Sequence, residues 1–151
     1  MTEVSIQGAQ DLEILARRLK EVGRNDLRKE LLRGIREANK PLVAEIREHI
    51  RSSLPRRGGL ADEIARSTIS TRTRLMGKSA GVTLQARRGK SRLDRLNRGV
   101  LRHPTYGHRP WVNQQIESGW FDEPIRNNID MVRQNVIDAM QQVATKLTAG
   151  L

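Results

Sequence analysis

Ser67-Thr68-Ile69-Ser70-Thr71-Arg72-Thr73-Arg74 runs into a break at Gly77-Lys78-Ser79-Ala80-Gly81 and then into Val82-Thr83-Leu84-Gln85-Ala86. Across these residues the helical periodicity that governs most of the chain stops. The first run is rich in β-branched side chains, which lose rotamer freedom on a helix and fit a pleated surface. The second alternates apolar and polar positions with the period of two expected of a strand. Joined by a glycine-bearing loop, the two read as a β-hairpin. They turn an otherwise helical sequence into an α+β one, with long amphipathic helices at both ends packed on a small antiparallel sheet from the middle segment. Arg72 and Arg74 share one face of the first strand and, with Arg87, form a candidate basic ridge. The competing explanation is an edge kept from aggregating by its charge.

Toward the N-terminus, Val4-Ser5-Ile6-Gln7 alternates as a short edge strand before Gly8. A helix opens at Gln10 or Asp11, with apolar positions Leu12, Leu15, Leu19 and Val22 and a stop at Gly23. Asn25 is placed to cap a longer helix in which Leu27, Leu31, Ile35, Ala38, Leu42, Ile46, Ile50 and Leu54 recur every three or four residues. Pro41 lies inside that pattern. It has no amide to donate to the Glu37 carbonyl, so the helix must kink or divide near Asn39-Lys40. Pro55 and Gly58-Gly59 close the element in a mobile loop, and Leu60 to Ala65 make a short helical turn. At the other end, Asp122-Glu123-Pro124 starts a helix whose stripe, Ile125, Ile129, Val132, Val136, Met140, Val143 and Leu147, extends over about six turns. Its polar face is nearly neutral, which suits a core helix better than a membrane-surface one.

The chain has 151 residues, 28 Lys plus Arg against 17 Asp plus Glu, a net charge of +11 and no cysteine. That length fits a single domain over residues 1–151: a helical half (1–54), a basic hairpin-and-loop segment (55–111), and an aromatic loop with the C-terminal helix (112–151). Without cysteine there is no thiol nucleophile, thiolate metal site or disulfide framework. No apolar run approaches membrane length, and Met1-Thr2-Glu3-Val4 does not open a signal peptide, so a soluble chain without membrane contact is expected. The charge is uneven. Residues 1–54 hold 11 basic and 9 acidic side chains, residues 55–111 hold 14 and 3, and residues 112–151 hold 3 and 5. Twelve of the fourteen middle cations are Arg, whose planar fork suits carboxylates and phosphates. Arg56, Arg57, Arg72, Arg74, Arg87, Arg88, Arg92, Arg95, Arg98 and Arg102 are therefore the candidate partner or subunit surface, with a short helical turn around Leu93 to Asn97.

The aromatics Tyr106, Trp111, Trp120 and Phe121 cluster among Pro104, Gly107 and Pro110, which predicts an irregular but structured loop. Trp111 and Phe121, with His103, Pro104 and Gly107, are expected to clamp that loop in a small satellite core. Tyr106 and Trp120 fit either role and are grouped with the partner surface. No catalytic constellation assembles. His103 and His108 lack ligand partners, His49 stands alone on a charged helix, and Arg56-Arg57-Gly58-Gly59 lacks the strand and Lys-Ser/Thr of a phosphate loop. No enzyme activity, metal or cofactor is expected.

Leu54-Pro55-Arg56-Arg57-Gly58-Gly59-Leu60-Ala61, the Thr/Arg strand pair, Leu96-Asn97-Arg98-Gly99, Arg102-His103-Pro104-Thr105-Tyr106-Gly107-His108-Arg109-Pro110-Trp111-Val112-Asn113-Gln114-Gln115 and Gly119-Trp120-Phe121 follow a recognisable order. From about Leu27 to Val143 the sequence resembles the minor tail-component family of tailed bacteriophages and prophages, most specifically in the His-Pro-x-Tyr-Gly block. The resemblance implies a virion protein of the neck, made in the host cytoplasm. Its expected form is a ring of six or twelve copies between head-completion or connector proteins and tail-terminator or tail-tube proteins. It supplies no catalytic residues. The arginines then pair with acidic protein surfaces or touch phage DNA non-specifically, and the alternative is a basic nucleic-acid-binding module.

Overall fold

The computed structural model describes residues 1–7, 10–77, 80–90 and 92–151, with the side chains of residues 3–7 outside the description. Gly8, Lys78, Ser79 and Ser91, loop positions in the sequence, lie outside the described residues. The fold is α+β, in the order β1 (Thr2–Gln7), α1 (Gln10–Glu21), α2 (Asn25–Ala38), α3 (Lys40–Ser53), α4 (Leu60–Ala65), β2 (Thr68–Arg74), β3 (Gly81–Arg87), α5 (Leu93–Asn97), β4 (Val100–Thr105), β5 (His108–Gln115), α6 (Asp122–Asn127) and α7 (Ile129–Thr148). Contacts divide the chain into two compact units. A hairpin unit comprises Met1–Glu3, Leu42–Ser70 and Gln85–Asn127, and a helical unit comprises Val4–Pro41, Thr71–Leu84 and Asn128–Leu151.

One sheet has the order β1-β3-β2 and the other pairs β4 with β5. β1 is thus the edge strand the alternation predicts. On β2 exposure alternates, and Arg72 and Arg74 fall on the open face, as the period of two requires. β3 is central and buried on both faces, with Val82, Leu84, Gln85 and Ala86 all inside.

In the helical unit α2 packs against α1 and α7. The core is Leu12, Ala16 and Leu19 from α1, Leu27, Leu31 and Ile35 from α2, and Val132, Val136, Ala139 and Val143 from α7. The small Ala16 takes the inner position expected of Leu15, and Val22 is exposed. Gly23, at φ +70°, ends α1: its amide reaches the Lys20 carbonyl at 3.1 Å and the Arg24 amide reaches Leu19 at 2.8 Å, the paired bonds of a Schellman stop. Asn25 does not cap α2. It is already the first helical residue, and Arg24 occupies the cap position, donating from Nε and Nη2 to Asp26 at 2.9 and 2.8 Å.

The chain divides at Asn39, within the Asn39-Lys40 interval that Pro41 requires to kink or divide. Asn39 is fully buried, donates through Nδ2 to the Ile35 carbonyl at 2.8 Å, and accepts at Oδ1 from Asn135 Nδ2 at 3.3 Å. Asn135 also reaches the Ala38 carbonyl at 3.1 Å, so α7 satisfies one terminal carbonyl of α2, while the Glu37 carbonyl that Pro41 cannot serve accepts from the Asn39 amide. The single C-terminal helix expected from the apolar stripe is two helices. Asn128 leaves helical geometry (φ −110°, ψ 14°), in keeping with the weak helix preference of the Asn127-Asn128 pair.

In the hairpin unit, Leu42, Ile46, Ile50 and Leu54 of the α3 segment, Ile64 of α4, Leu93 of α5 and Ile125 of α6 are buried. Arg47 donates to the carbonyls of Ala65 and, at 3.0 Å, Ser67, closing the C-terminal end of α4.

Candidate functional site

Residues 100–115 are a β-hairpin and not an irregular loop. Val100 pairs with Gln115, Leu101 with Gln114, Arg102 with Asn113, His103 with Val112 and Pro104 with Trp111, and after a register shift Thr105 pairs with His108. Arg109 and Pro110 bulge out of the ladder. In a two-stranded ribbon each strand has one free edge, so a proline lacking its amide forfeits nothing there. Tyr106 and Gly107 both have positive φ (48° and 79°), the geometry of a two-residue turn that follows the strand twist. All eight positions of β5 are exposed, and Tyr106 at the tip is 95% exposed.

The ribbon is fixed at its root. Asn97, the last residue of α5, is buried; its carbonyl accepts from the Gly119 amide at 2.7 Å and its Oδ1 from the Phe121 amide at 2.9 Å. Gly99 (φ +85°) accepts from the Ile116 amide at 2.9 Å, and a Cβ there would come within 2.8 Å of the Ile116 carbonyl oxygen. Trp120 and Phe121 are both fully buried, ring centroids 5.7 Å apart in an edge-on arrangement. The Leu96-Asn97-Arg98-Gly99 and Gly119-Trp120-Phe121 blocks are thus the two halves of one anchor.

Beside this root is an open cleft of about 600 Å³ lined by Lys90, Arg92, Arg95, Leu96, Val100, Leu101, Arg102 and Trp111. Its cations come from three places: the segment after β3, α5, and β4. The Arg102 guanidinium lies 5.5 Å from the centroid of Trp111, which sits diagonally across the ladder. Among the described residues, no acid lines the cleft. The nearest carboxylate along the chain is Asp94, 3.5 Å from Arg92 and 2.9 Å from Arg98. Desolvation pushes the Asp94 carboxyl up, but the Arg98 hydrogen bond, the Arg92 charge and the Arg95 amide outweigh it and hold the group below the usual carboxylate range. Among the described residues, Lys90, Arg95 and Arg102 have no carboxylate partner within ion-pair distance.

The predicted residues divide accordingly. Arg92, Arg95 and Arg102 meet in the cleft. Arg98 does not line the cleft and pairs with Asp94 at 2.9 Å. Arg88 pairs with Glu63 at 3.2 Å, and Arg87 Nε lies 3.2 Å from the Met1 sulfur. Arg56 lines a second depression of about 380 Å³ with Arg51, Glu48 and Asp62, and Arg57 is exposed in the same loop. Arg72 and Arg74 belong to the helical unit. Two aromatic assignments are exchanged: Trp120, open to either role and grouped with the partner surface, is fully buried, and Trp111, expected to clamp, is 51% exposed. Phe121 is buried as a clamp should be. His103 and Pro104 are half-buried strand residues, and Gly107 is an exposed turn residue, so none of these three is part of a closed core. Lys90, Val100 and Leu101, and the place of Leu96 beside them, are not marked as site residues by the sequence, because nothing local identifies the lining of a cleft formed between elements. His49 is not alone: its Nε2 lies 3.7 Å from Glu123.

Among the described residues, no cluster of three or more His, Asp or Glu side chains is arranged to hold a metal ion, and no helix is long and apolar enough to cross a membrane. No family model, curated protein or solved structure matches the chain significantly.

Proposed function

We propose that the chain is a structural protein of a tailed phage or prophage virion, a ring subunit of the neck or upper tail that joins head to tail and lets DNA pass. One observation carries this reading: β5 exposes every residue, Trp111 and Val112 included, on a ribbon whose root is rigidly held. An isolated two-stranded ribbon is marginal in water, and its apolar side chains are buried only when another molecule covers them. This ribbon is also the most specific part of the family resemblance. An arm that grips a neighbouring subunit or ring protein accounts for both facts. Mass spectrometry of purified particles from the host, with electron-microscope images of the protein alone and mixed with tail-tube or connector proteins, tests the reading. Detection in particles and ring-shaped or end-bound complexes are expected; absence from particles together with a persistent monomer would overturn it.

The second reading, a nucleic-acid-binding module, has an observation in its favour: unpaired Lys90, Arg95 and Arg102 beside the exposed Trp111 ring resemble a phosphate track with a stacking platform. Tight duplex or single-strand binding by the isolated protein, with a steep loss on adding salt, is the result that would favour it.

A further inference from the structure

We propose that the cleft at the hairpin root binds an extended acidic peptide segment with an aliphatic side chain among its carboxylates, offered by a neighbouring protein. The occupant follows from the lining. Three of the four cations are guanidinium groups, which pair with planar carboxylates through two parallel hydrogen bonds. The Asn97 anchor fixes the end of α5 and the root of the ribbon, which carry Arg95 and Arg102, so that part of the site is formed before a ligand arrives.

The floor selects among anions. Leu96, Val100 and Leu101 give it an aliphatic surface, which a sugar-phosphate chain leaves uncovered and a leucine or valine side chain fills. Trp111 has one face occupied by the Arg102 guanidinium, which competes with stacking of a base on that face. Asp94, held ionised between Arg92 and Arg98, adds a negative charge beside these arginines that opposes a continuous phosphate backbone laid along them. A peptide can put an uncharged residue there. The assignment of the segment to a neighbouring virion protein rests on the proposed function, whereas the chemistry of the cleft does not.

The test uses the full chain and a fluorescein-labelled peptide of glutamates around one central leucine, followed by anisotropy and by tryptophan emission. The chain has two tryptophans, Trp111 exposed and Trp120 buried, so a ligand-induced emission shift reports on Trp111. Saturable binding is expected, abolished when the glutamates are replaced by glutamines and weakened when the leucine is replaced by serine. Arg95→Gln is expected to weaken it roughly tenfold, equivalent to about 1.4 kcal/mol. Lys90→Gln, an exposed position distant from the Asn97 anchor bonds, is a second variant that leaves the fold intact and weakens binding in the same direction. Binding indifferent to both substitutions would overturn the proposal. So would a labelled oligothymidylate of equal charge that binds more tightly and loses its affinity in the same variants. A chain that binds the peptide but is missing from particles keeps this site and loses the virion role; a chain found in particles that ignores the peptide does the reverse.

Discussion

Asn97 joins two segments 24 residues apart through one side-chain oxygen and one backbone carbonyl, and the exposed ribbon depends on both. Removing the side chain leaves the buried Phe121 amide without an acceptor, which costs more than the net worth of the bond because the group is not returned to water. Asn97→Ala is therefore expected to destabilise the protein by about 1–3 kcal/mol, measured by urea denaturation followed at Trp120. An unchanged midpoint would mean that the Phe121 amide finds another acceptor. Tyr106 poses the converse case. A non-glycine residue at φ 48° is held at some cost in a turn that favours Asn or Gly, while its ring lies in water and gains nothing by burial. A strained, exposed tyrosine at the tip of an arm is a residue of the kind that contact with another molecule would account for.

At the scale of elements, the α2–α7 packing turns on Gly34. Its backbone is helical, and a Cβ built there would lie 3.5 Å from the Ala139 Cβ, an ordinary contact. Gly34→Ala should thus add a methyl contact and remove the helix penalty of glycine, raising stability by about 0.5–1 kcal/mol. A lowered melting temperature would show that the helix interior does not accept the methyl group at this contact. Elements of this kind were legible in the sequence because burial writes a period into it. The β2–β3 hairpin, the division at Asn39 imposed by Pro41, and the short turns at Leu60–Ala65 and Leu93–Asn97 all follow from spacing and breaker residues. The β4–β5 ribbon left no such trace. With both faces of β5 in water no alternation is required, and Pro104 and Pro110 signal a loop although a free strand edge tolerates them. The exchange of Trp111 and Trp120 has a related cause. Ring hydrophobicity favours burial of either one, and the bonds of Asn97 to Gly119 and Phe121, which decide the matter, lie between segments that local sequence does not connect.

At the scale of the whole molecule, the charge is arranged differently in the fold than along the chain. By sequence the excess belongs to residues 55–111, yet the hairpin unit holds 14 basic and 9 acidic residues and the helical unit 14 and 8, nets of +5 and +6. Folding shares the middle segment between the units, and what stays concentrated is the run from 87 to 102, with seven cations against Asp94 alone. Exposed ion pairs such as Arg17–Glu13 (3.0 Å) and Arg126–Asp122 (3.1 Å) oppose this repulsion only weakly, since such pairs contribute between nothing and about 1 kcal/mol each and are screened as well. Repulsion among unpaired cations therefore dominates the salt response. Raising sodium chloride from a few millimolar to about 0.15 M shortens the screening length to about 8 Å, which weakens repulsion between charges farther apart than that. The melting temperature is expected to rise by about 2–4 °C, the shift that ~1 kcal/mol produces in a chain of this size. Differential scanning calorimetry at several salt concentrations measures it. A melting temperature that falls with salt would reverse the balance and show that the ion pairs stabilise the fold more than the crowded arginines oppose it.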